Sequence, residues 1–347
     1  MQVRIPNPLG GLADIVVPKS TDRAGFLAEA ASGAFDGCMV AYRTFGSVSI
    51  TGRIDSELVL ALPPSLSFIC HNGAGFDQID VPACTDRGIK VSNVPTAVDD
   101  ATADTAMFLM LGALRNFPLG MHNLRQGGWR GREHDRSLPD LGHDPQGKSL
   151  GIVGMGGIGR NMAKKALAFG MRILYHNRTR LAEDVERELG GAQYCDFDTL
   201  LKHSDVLSLN LPLNVRPLCP FSSSSPGAGD KKPRPHTRHI ISTRELAMVK
   251  PGVVIVNTAR GAVIDEAALV EALDSGRVAS VGLDVYENEP DVHPGLLANR
   301  RALLVPHMGT WTVETEAKME EWTMANVQTA ILHRRLKSIV PEQRALE

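Results

Sequence analysis

Along most of the chain, short runs of β-branched and aliphatic residues alternate with longer stretches whose apolar positions recur at helical spacing. That alternation predicts an α/β protein with parallel sheets, because a parallel strand is reached only through a crossover, usually a helix. In the first half the candidate strands are Ile15–Val17, Cys38–Ala41, Phe68–Cys70 and Lys90–Ser92. Asp100–Leu114 is rich in Ala and Leu, with no glycine before Gly112, and predicts a long, mostly buried helix suited to bridging domains or a dimer. A second series begins at Ser149, with strands expected at Leu150–Val153, Arg172–His176, Val206–Leu211, Val253–Asn257, Val281–Val285 and Leu303–Val305. Helical stretches such as Gly159–Phe169 and Asp265–Leu273 separate most of them, the latter with Asp265 as N-cap and Gly276 just past its end. This second series describes a doubly wound sheet. After Gly309 a helix over Val313–Leu332 is free to return to the first domain.

One segment breaks the pattern. Val215–Pro235 holds a run of serines from Ser222 to Ser225, five prolines and Lys231-Lys232, but almost nothing with which to pack a core. It is expected to be a disordered loop.

Composition narrows the function classes. A chain of 347 residues suits two domains of ordinary size. With 37 Lys and Arg against 39 Asp and Glu, the net charge of −2 gives no global field for nucleic acid or an anionic membrane. Mean hydropathy is −0.09, and no apolar run approaches the roughly 20 residues needed to cross a bilayer. The five cysteines are scattered, without a C-x-x-C pair, which argues against a disulfide framework and against a metal site. Neither terminus carries a recognisable targeting signal, so a cytoplasmic location is expected.

Gly154-Met155-Gly156-Gly157-Ile158-Gly159 matches G-x-G-x-x-G, a weak signal alone. Here an apolar strand precedes it and an Ala-rich helix follows, which is the setting a dinucleotide pyrophosphate requires. Gly154 permits the tight turn, Gly156 the approach of the phosphates and Gly159 close helix–strand packing. At the end of the next strand stands His176-Asn177-Arg178-Thr179-Arg180, where an NAD-selective site usually places an acid. Asn177 lacks the charge that would repel a 2′-phosphate, and Arg178 and Arg180 are available to bind one. NADP(H) is therefore expected over NAD(H), with NAD(H) left open.

Three further segments end later strands: Asn257-Thr258-Ala259-Arg260-Gly261, Asp284 through Pro290, and Pro306-His307-Met308-Gly309. An Arg, a carboxylate and a His thus arrive at one edge of the sheet, where ligands of open α/β sheets bind. Reduction of a 2-oxo acid needs these types. A guanidinium grips the carboxylate and polarises the carbonyl, an imidazolium delivers a proton, and a carboxylate holds that imidazole and favours its charged form.

The sequence here resembles the D-isomer-specific 2-hydroxyacid dehydrogenases, from about Phe68 to the C-terminus apart from the Ser/Pro segment. The likeness rests on His71 through Asp77, the glycine fingerprint, Asn257 through Gly261, and Asp284–Pro290 followed by Pro306-His307. It implies a catalytic set of Arg260, Glu289 and His307, with Glu289 preferred to Glu287 because it precedes the proline. It also implies that the N–H groups of Ala74 and Gly75 hold the substrate carboxylate together with Arg260. Cofactor contacts are implied at Gly154, Gly156, Gly157, Ile158, Gly159, Asn177, Arg178, Thr179, Pro212, Thr258, Ala259, Asp284, His307 and Gly309. The family fold implies two Rossmann-like or flavodoxin-like domains: a discontinuous substrate domain, 1–100 with 311–347, around a cofactor domain, 101–310, in a homodimer. Asn93–Leu111 and Glu316–Asn326 are most similar to the mandelate-dehydrogenase branch, which implies a bulky or aromatic 2-oxo acid, while glyoxylate and hydroxypyruvate stay open.

The family pattern runs from Leu213-Asn214 to His236-Thr237 within a few residues, so Val215–Pro235 is extra. A longer surface loop costs little to close. The segment is either a functional insert or read-through of non-coding sequence. Two other readings remain: a dinucleotide-sensing corepressor or scaffold on the same fold, and an inactive variant damaged by the insert. Formate or phosphite oxidation on the same scaffold is disfavoured by Glu289, since the formate branch has Gln there.

Overall fold

The apolar runs become ten strands in two parallel sheets in the computed structural model, which describes residues 11–128, 141–214 and 236–346. By internal contacts the chain divides into one unit that runs to Val98 and resumes at Trp311, and a second from Asp99 to Thr310. The expected Val215–Pro235 loop lies outside the described residues.

In the first unit β1 (Val40–Thr44), β2 (Phe68–Asn72) and β3 (Lys90–Ser92) form a sheet in that order. Its short helices start on aspartates: Asp22, Asp55 and Asp80 each accept a backbone N–H of the first turn. The Val313–His333 helix and the turn after it complete this unit, and Ser92 bridges Ile339. Buried Gln343 fastens the turn, accepting from the Val91 N–H at 2.7 Å and donating to the Ile89 carbonyl at 2.8 Å.

The second unit carries seven strands: β4 (Ser149–Val153), β5 (Arg172–His176), β6 (Gln193–Tyr194), β7 (Val206–Leu209), β8 (Val253–Asn257), β9 (Val278–Leu283) and β10 (Ala302–Leu304). Their order, β10-β9-β8-β7-β4-β5-β6, reverses beside β4, which is the doubly wound arrangement. Every residue of β4, β7 and β8 is buried, as expected where helices cover both faces of a parallel sheet. The long helix, Asp99–Leu114, lies on this sheet. A Cβ on Gly282 of β9 would come within 2.7 Å of the Leu109 side chain, and the Ser280 hydroxyl donates to the Ala113 carbonyl at 2.8 Å.

Two expectations are corrected, and one strand was not expected. Ile15–Val17 is not a strand: among the described residues it pairs with nothing, it ends at Pro18, and its side chains are exposed. The strand expected at Val281–Val285 runs from Val278 to Leu283, which frees Asp284 to leave the sheet. The edge strand Gln193–Tyr194 escaped notice because two residues carry no periodicity.

Candidate active site

At the end of β4 the glycines are required by backbone geometry. Gly154 has φ +96°, and a Cβ there would sit 2.6 Å from the Asn210 carbonyl oxygen. A Cβ on Gly159 would fall 2.4 Å from the Gly154 carbonyl oxygen, so strand and helix approach too closely for any side chain. Gly156 differs, because a Cβ there would meet nothing within 4 Å. The helix Gly157–Ala168 starts without a side-chain cap, and among the described residues the Gly157 and Ile158 N–H groups have no partner. Two polar side-chain oxygens at neighbouring strand ends, Asn210 Oδ1 and Thr258 Oγ1, are likewise buried without a partner. Uncapped N–H groups, an open backbone at Gly156 and orphaned polar atoms fit a bound dinucleotide.

One acid stands against this helix start. The Asp99 carboxylate packs on Gly157, where a Cβ would overlap it, and burial, with Asp100 adding repulsion, pushes its carboxyl up to about 6.

At the end of β5 the Asn177 side chain turns inward and accepts from the Met155 N–H at 2.7 Å, tying the fingerprint turn to β5. Arg178 and Thr179 are exposed. Arg180, expected to help with a 2′-phosphate, is instead held by Glu186 through two hydrogen bonds of 2.9 and 2.8 Å.

Past β7, Pro212 accepts from the Thr237 hydroxyl at 2.8 Å, and that hydroxyl accepts from the Asn214 N–H at 2.7 Å. The chain on either side of 215–235 is thus fastened to itself.

The ends of β8, β9 and β10 bring the three expected catalytic side chains to one edge. Asn257 shapes the first loop: its Oδ1 accepts from Ala259 N–H at 3.0 Å and its Nδ2 donates to the Arg260 carbonyl at 2.9 Å. Gly261 follows because the Tyr286–Glu287 peptide lies where its Cβ would be. Glu289 then spans two elements. Its Oε1 accepts from the Tyr286 N–H at 2.9 Å and its Oε2 from His307 Nδ1 at 2.8 Å. Burial pushes the Glu289 carboxyl up, but His307, then the Tyr286 N–H and then Arg260 outweigh it and hold it below its ordinary value. Glu287 faces elsewhere, toward Arg238 and His239.

His307 sits at φ +52°, a left-handed conformation that costs on the order of 1–2 kcal/mol for a residue with a Cβ. Asp284 holds it there. Its carbonyl accepts from the His307 N–H at 2.8 Å, and its two carboxylate oxygens accept from the N–H groups of Met308 and Gly309. Burial raises the Asp284 carboxyl despite those bonds. This clamp was not read from the sequence, and neither was buried Glu266, which accepts from the Glu287 N–H at 2.8 Å and so steadies the loop carrying Glu289. The acid-rich stretch named the loop without saying which acid faces which way.

In the first unit, Ala74 and Gly75 lie in the turn after β2, and among the described residues neither N–H has a hydrogen-bond partner.

Known proteins share this architecture. Residues 107–216 and 232–309 match the family described as D-isomer specific 2-hydroxyacid dehydrogenase, NAD binding domain; the match passes over 217–231. The chain is 50% identical over 325 residues to 4-methyl-2-oxopentanoate reductase A of Aspergillus oryzae, covering 94% of this chain and 90% of the relative. A glyoxylate reductase from Paecilomyes thermophila superposes with a TM-score of 0.82 at 51% identity, covering 94% of this chain and 90% of that one. The apo form of Rhodotorula graminis D-mandelate dehydrogenase gives 0.78 at 28% identity, covering 98% and 95%.

Proposed function

This chain belongs to the D-isomer-specific 2-hydroxyacid dehydrogenase family, and on that premise we propose that it reduces a 2-oxo acid to the D-2-hydroxy acid with His307 as the proton donor. The observation that carries this reading is the 2.8 Å bond from His307 Nδ1 to Glu289. It orients the ring with Nδ1 toward a carboxylate, which supports proton transfer at Nε2 and stabilisation of the imidazolium. Arg260, on the neighbouring loop, grips the substrate carboxylate and polarises the carbonyl. Ala74 and Gly75 offer their unpartnered N–H groups to the same carboxylate.

When bound, a reduced nicotinamide dinucleotide supplies the hydride. Gly154 to Gly159 would hold its pyrophosphate, Pro212 would lie on the adenosine side, and Thr258, Ala259, Asp284, His307 and Gly309 would face the nicotinamide. Asn177 turned inward and exposed Arg178 stand at this strand end where an NAD-selective site places an acid, which supports NADP(H) over NAD(H). The similar proteins are named for 4-methyl-2-oxopentanoate, glyoxylate and D-mandelate, and a bulky or aromatic 2-oxo acid is proposed here, with glyoxylate and hydroxypyruvate as the alternatives. The exposed apolar side chains Phe108, Phe117, Met121 and Leu124, on the long helix and the short one after it, fit a homodimer that covers them. No helix of the described residues is long and apolar enough to cross a membrane, and a cytoplasmic location is proposed.

Initial rates of NADPH and NADH consumption with glyoxylate, hydroxypyruvate, 4-methyl-2-oxopentanoate, phenylpyruvate and benzoylformate test this reading. Turnover with NADPH ahead of NADH and a D-configured product are expected. Tight dinucleotide binding without turnover of any acid would replace it with the sensor reading.

A further inference from the structure

Under the turn that carries Ala74 and Gly75 lies a buried cation that nothing so far uses. Arg43 on β1 is 4% exposed and His71 on β2 is 1% exposed. Arg43 Nη1 lies 3.2 Å from His71 Nδ1, and its Nη2 donates to Gln78 Oε1 at 2.9 Å. Its Nε has no partner, and among the described residues no carboxylate pairs with it; Asp77 acts only at longer range. Burial pulls the guanidinium down to about 10, so it stays charged at neutral pH. A buried charge compensated only through space by Asp77 favours a further anion nearby in the working state.

The polarity of this chain of contacts is forced. A guanidinium can only donate, so His71 Nδ1 accepts and the ring is neutral with its proton on Nε2. Nε2 then donates to the Gly75 carbonyl at 2.9 Å. Two further donors fix the preceding carbonyls: Asn93 Nδ2 reaches Ala74 at 2.8 Å and the Val94 N–H reaches Gly73 at 2.9 Å. In a trans peptide the N–H points opposite to the C=O. Pinning these carbonyls toward the protein therefore aims the N–H groups of Ala74, Gly75 and Phe76 the other way, and each pinned carbonyl polarises its peptide. The ring is pressed against the turn, since a Cβ on Gly73 would come within 2.7 Å of His71 Nε2.

We propose that Arg43 and His71 are positioning residues for the substrate carboxylate, His71 orienting the 73–75 turn and Arg43 supplying the fixed positive charge behind it. This rests on the reading that the turn's N–H groups take that carboxylate. It assigns the recognition of an anion to residues that never touch it. Gly73 becomes the contact surface between ring and turn.

The test compares a 2-oxo acid with its neutral 2-oxo amide on the full chain, using wild type, Arg43→Met, His71→Leu and His71→Gln. Steady-state kcat and KM are measured together with NADPH binding. Wild type is expected to favour the acid by about 100-fold in kcat/KM. Arg43→Met and His71→Leu should raise KM for the acid roughly tenfold, with kcat, NADPH affinity and the amide's KM within about twofold. His71→Gln, which keeps a donor of similar reach, should retain most of the preference. If Arg43→Met does not fold, the two His71 variants decide. Parallel losses for acid and amide, or no change for either, would overturn the proposal while leaving the carboxylate reading intact. A wild type indifferent to the carboxylate would overturn both.

Discussion

The two flanks of the seven-stranded sheet solve different problems. At the ends of β4 and β5 the site is made by leaving atoms out: Gly154 and Gly159 have no room for a Cβ, and Gly156 keeps the backbone open. At the ends of β8, β9 and β10 it is made by side chains, each held by at least one defined hydrogen bond. Asn257 shapes the Arg260 loop, Glu289 joins the Tyr286 N–H to His307, and Asp284 secures the turn at His307. One flank is thus sensitive to addition and the other to removal. Binding and chemistry should separate accordingly under mutation.

The largest effect is expected from removal. Arg260→Gln should lower kcat/KM for the 2-oxo acid by about 10³-fold, with dinucleotide binding unchanged by fluorescence titration. A loss of less than tenfold would take Arg260 out of the chemistry. Glu289→Gln should cost roughly 10²-fold, because an uncharged amide can still orient the ring but cannot stabilise its positive form. The Glu289 carboxyl is held below its ordinary value in the folded chain, so its contribution is present above the ordinary carboxylate range and is lost as pH falls through the lowered value. Acid inactivation of Glu289→Gln should lack that component.

Addition on the other flank should act on binding alone. Gly156→Ala places a methyl where the protein itself offers no contact, so Tm should not move while NADPH affinity falls about tenfold, or ~1.4 kcal/mol. A drop in Tm with unchanged affinity would reverse the reading of that glycine.

The smallest effect concerns Asp99. Its carboxyl is raised to about 6, so the folded chain binds this proton more tightly than the unfolded one. That contribution is full below the ordinary carboxylate range and is lost as pH rises through about 6. Asp99→Asn should therefore gain about 1 kcal/mol over wild type near pH 7.5, after discounting for partial exposure, and nothing below about pH 4. Equal denaturation midpoints at both pH values would show that Asp99 is not penalised by its burial.

The same contrast explains what could be read from the sequence. The glycine flank was legible because its glycines sit at fixed spacing between a strand and a helix, and backbone constraints are local. Arg260, Glu289 and His307 were legible as residue types at strand ends, and the long helix at Asp99–Leu114 from its Ala/Leu content. The contacts that join them were not. Asp284 clamping the His307 turn, Glu266 bracing Glu287 and the Glu186 grip on Arg180 are tertiary pairings with no periodic signature. Arg43 and His71 lie just past the ends expected for their strands, Cys38–Ala41 and Phe68–Cys70, so the cation beneath the 73–75 turn emerges only when β1 and β2 are paired. Ile15–Val17 failed for the opposite reason: an apolar run is a strand only where a neighbour exists to pair with it.

In the proposed reaction His307, oriented by Glu289, exchanges the proton during reduction of a 2-oxo acid. Measuring NADPH affinity, turnover and product configuration side by side for wild type and His307→Asn tests it most directly. Unchanged NADPH affinity, a D-configured product from wild type, and turnover of the variant lower by at least about 10³-fold are expected. Turnover of the variant within about tenfold of wild type, or an L-configured product, would contradict it.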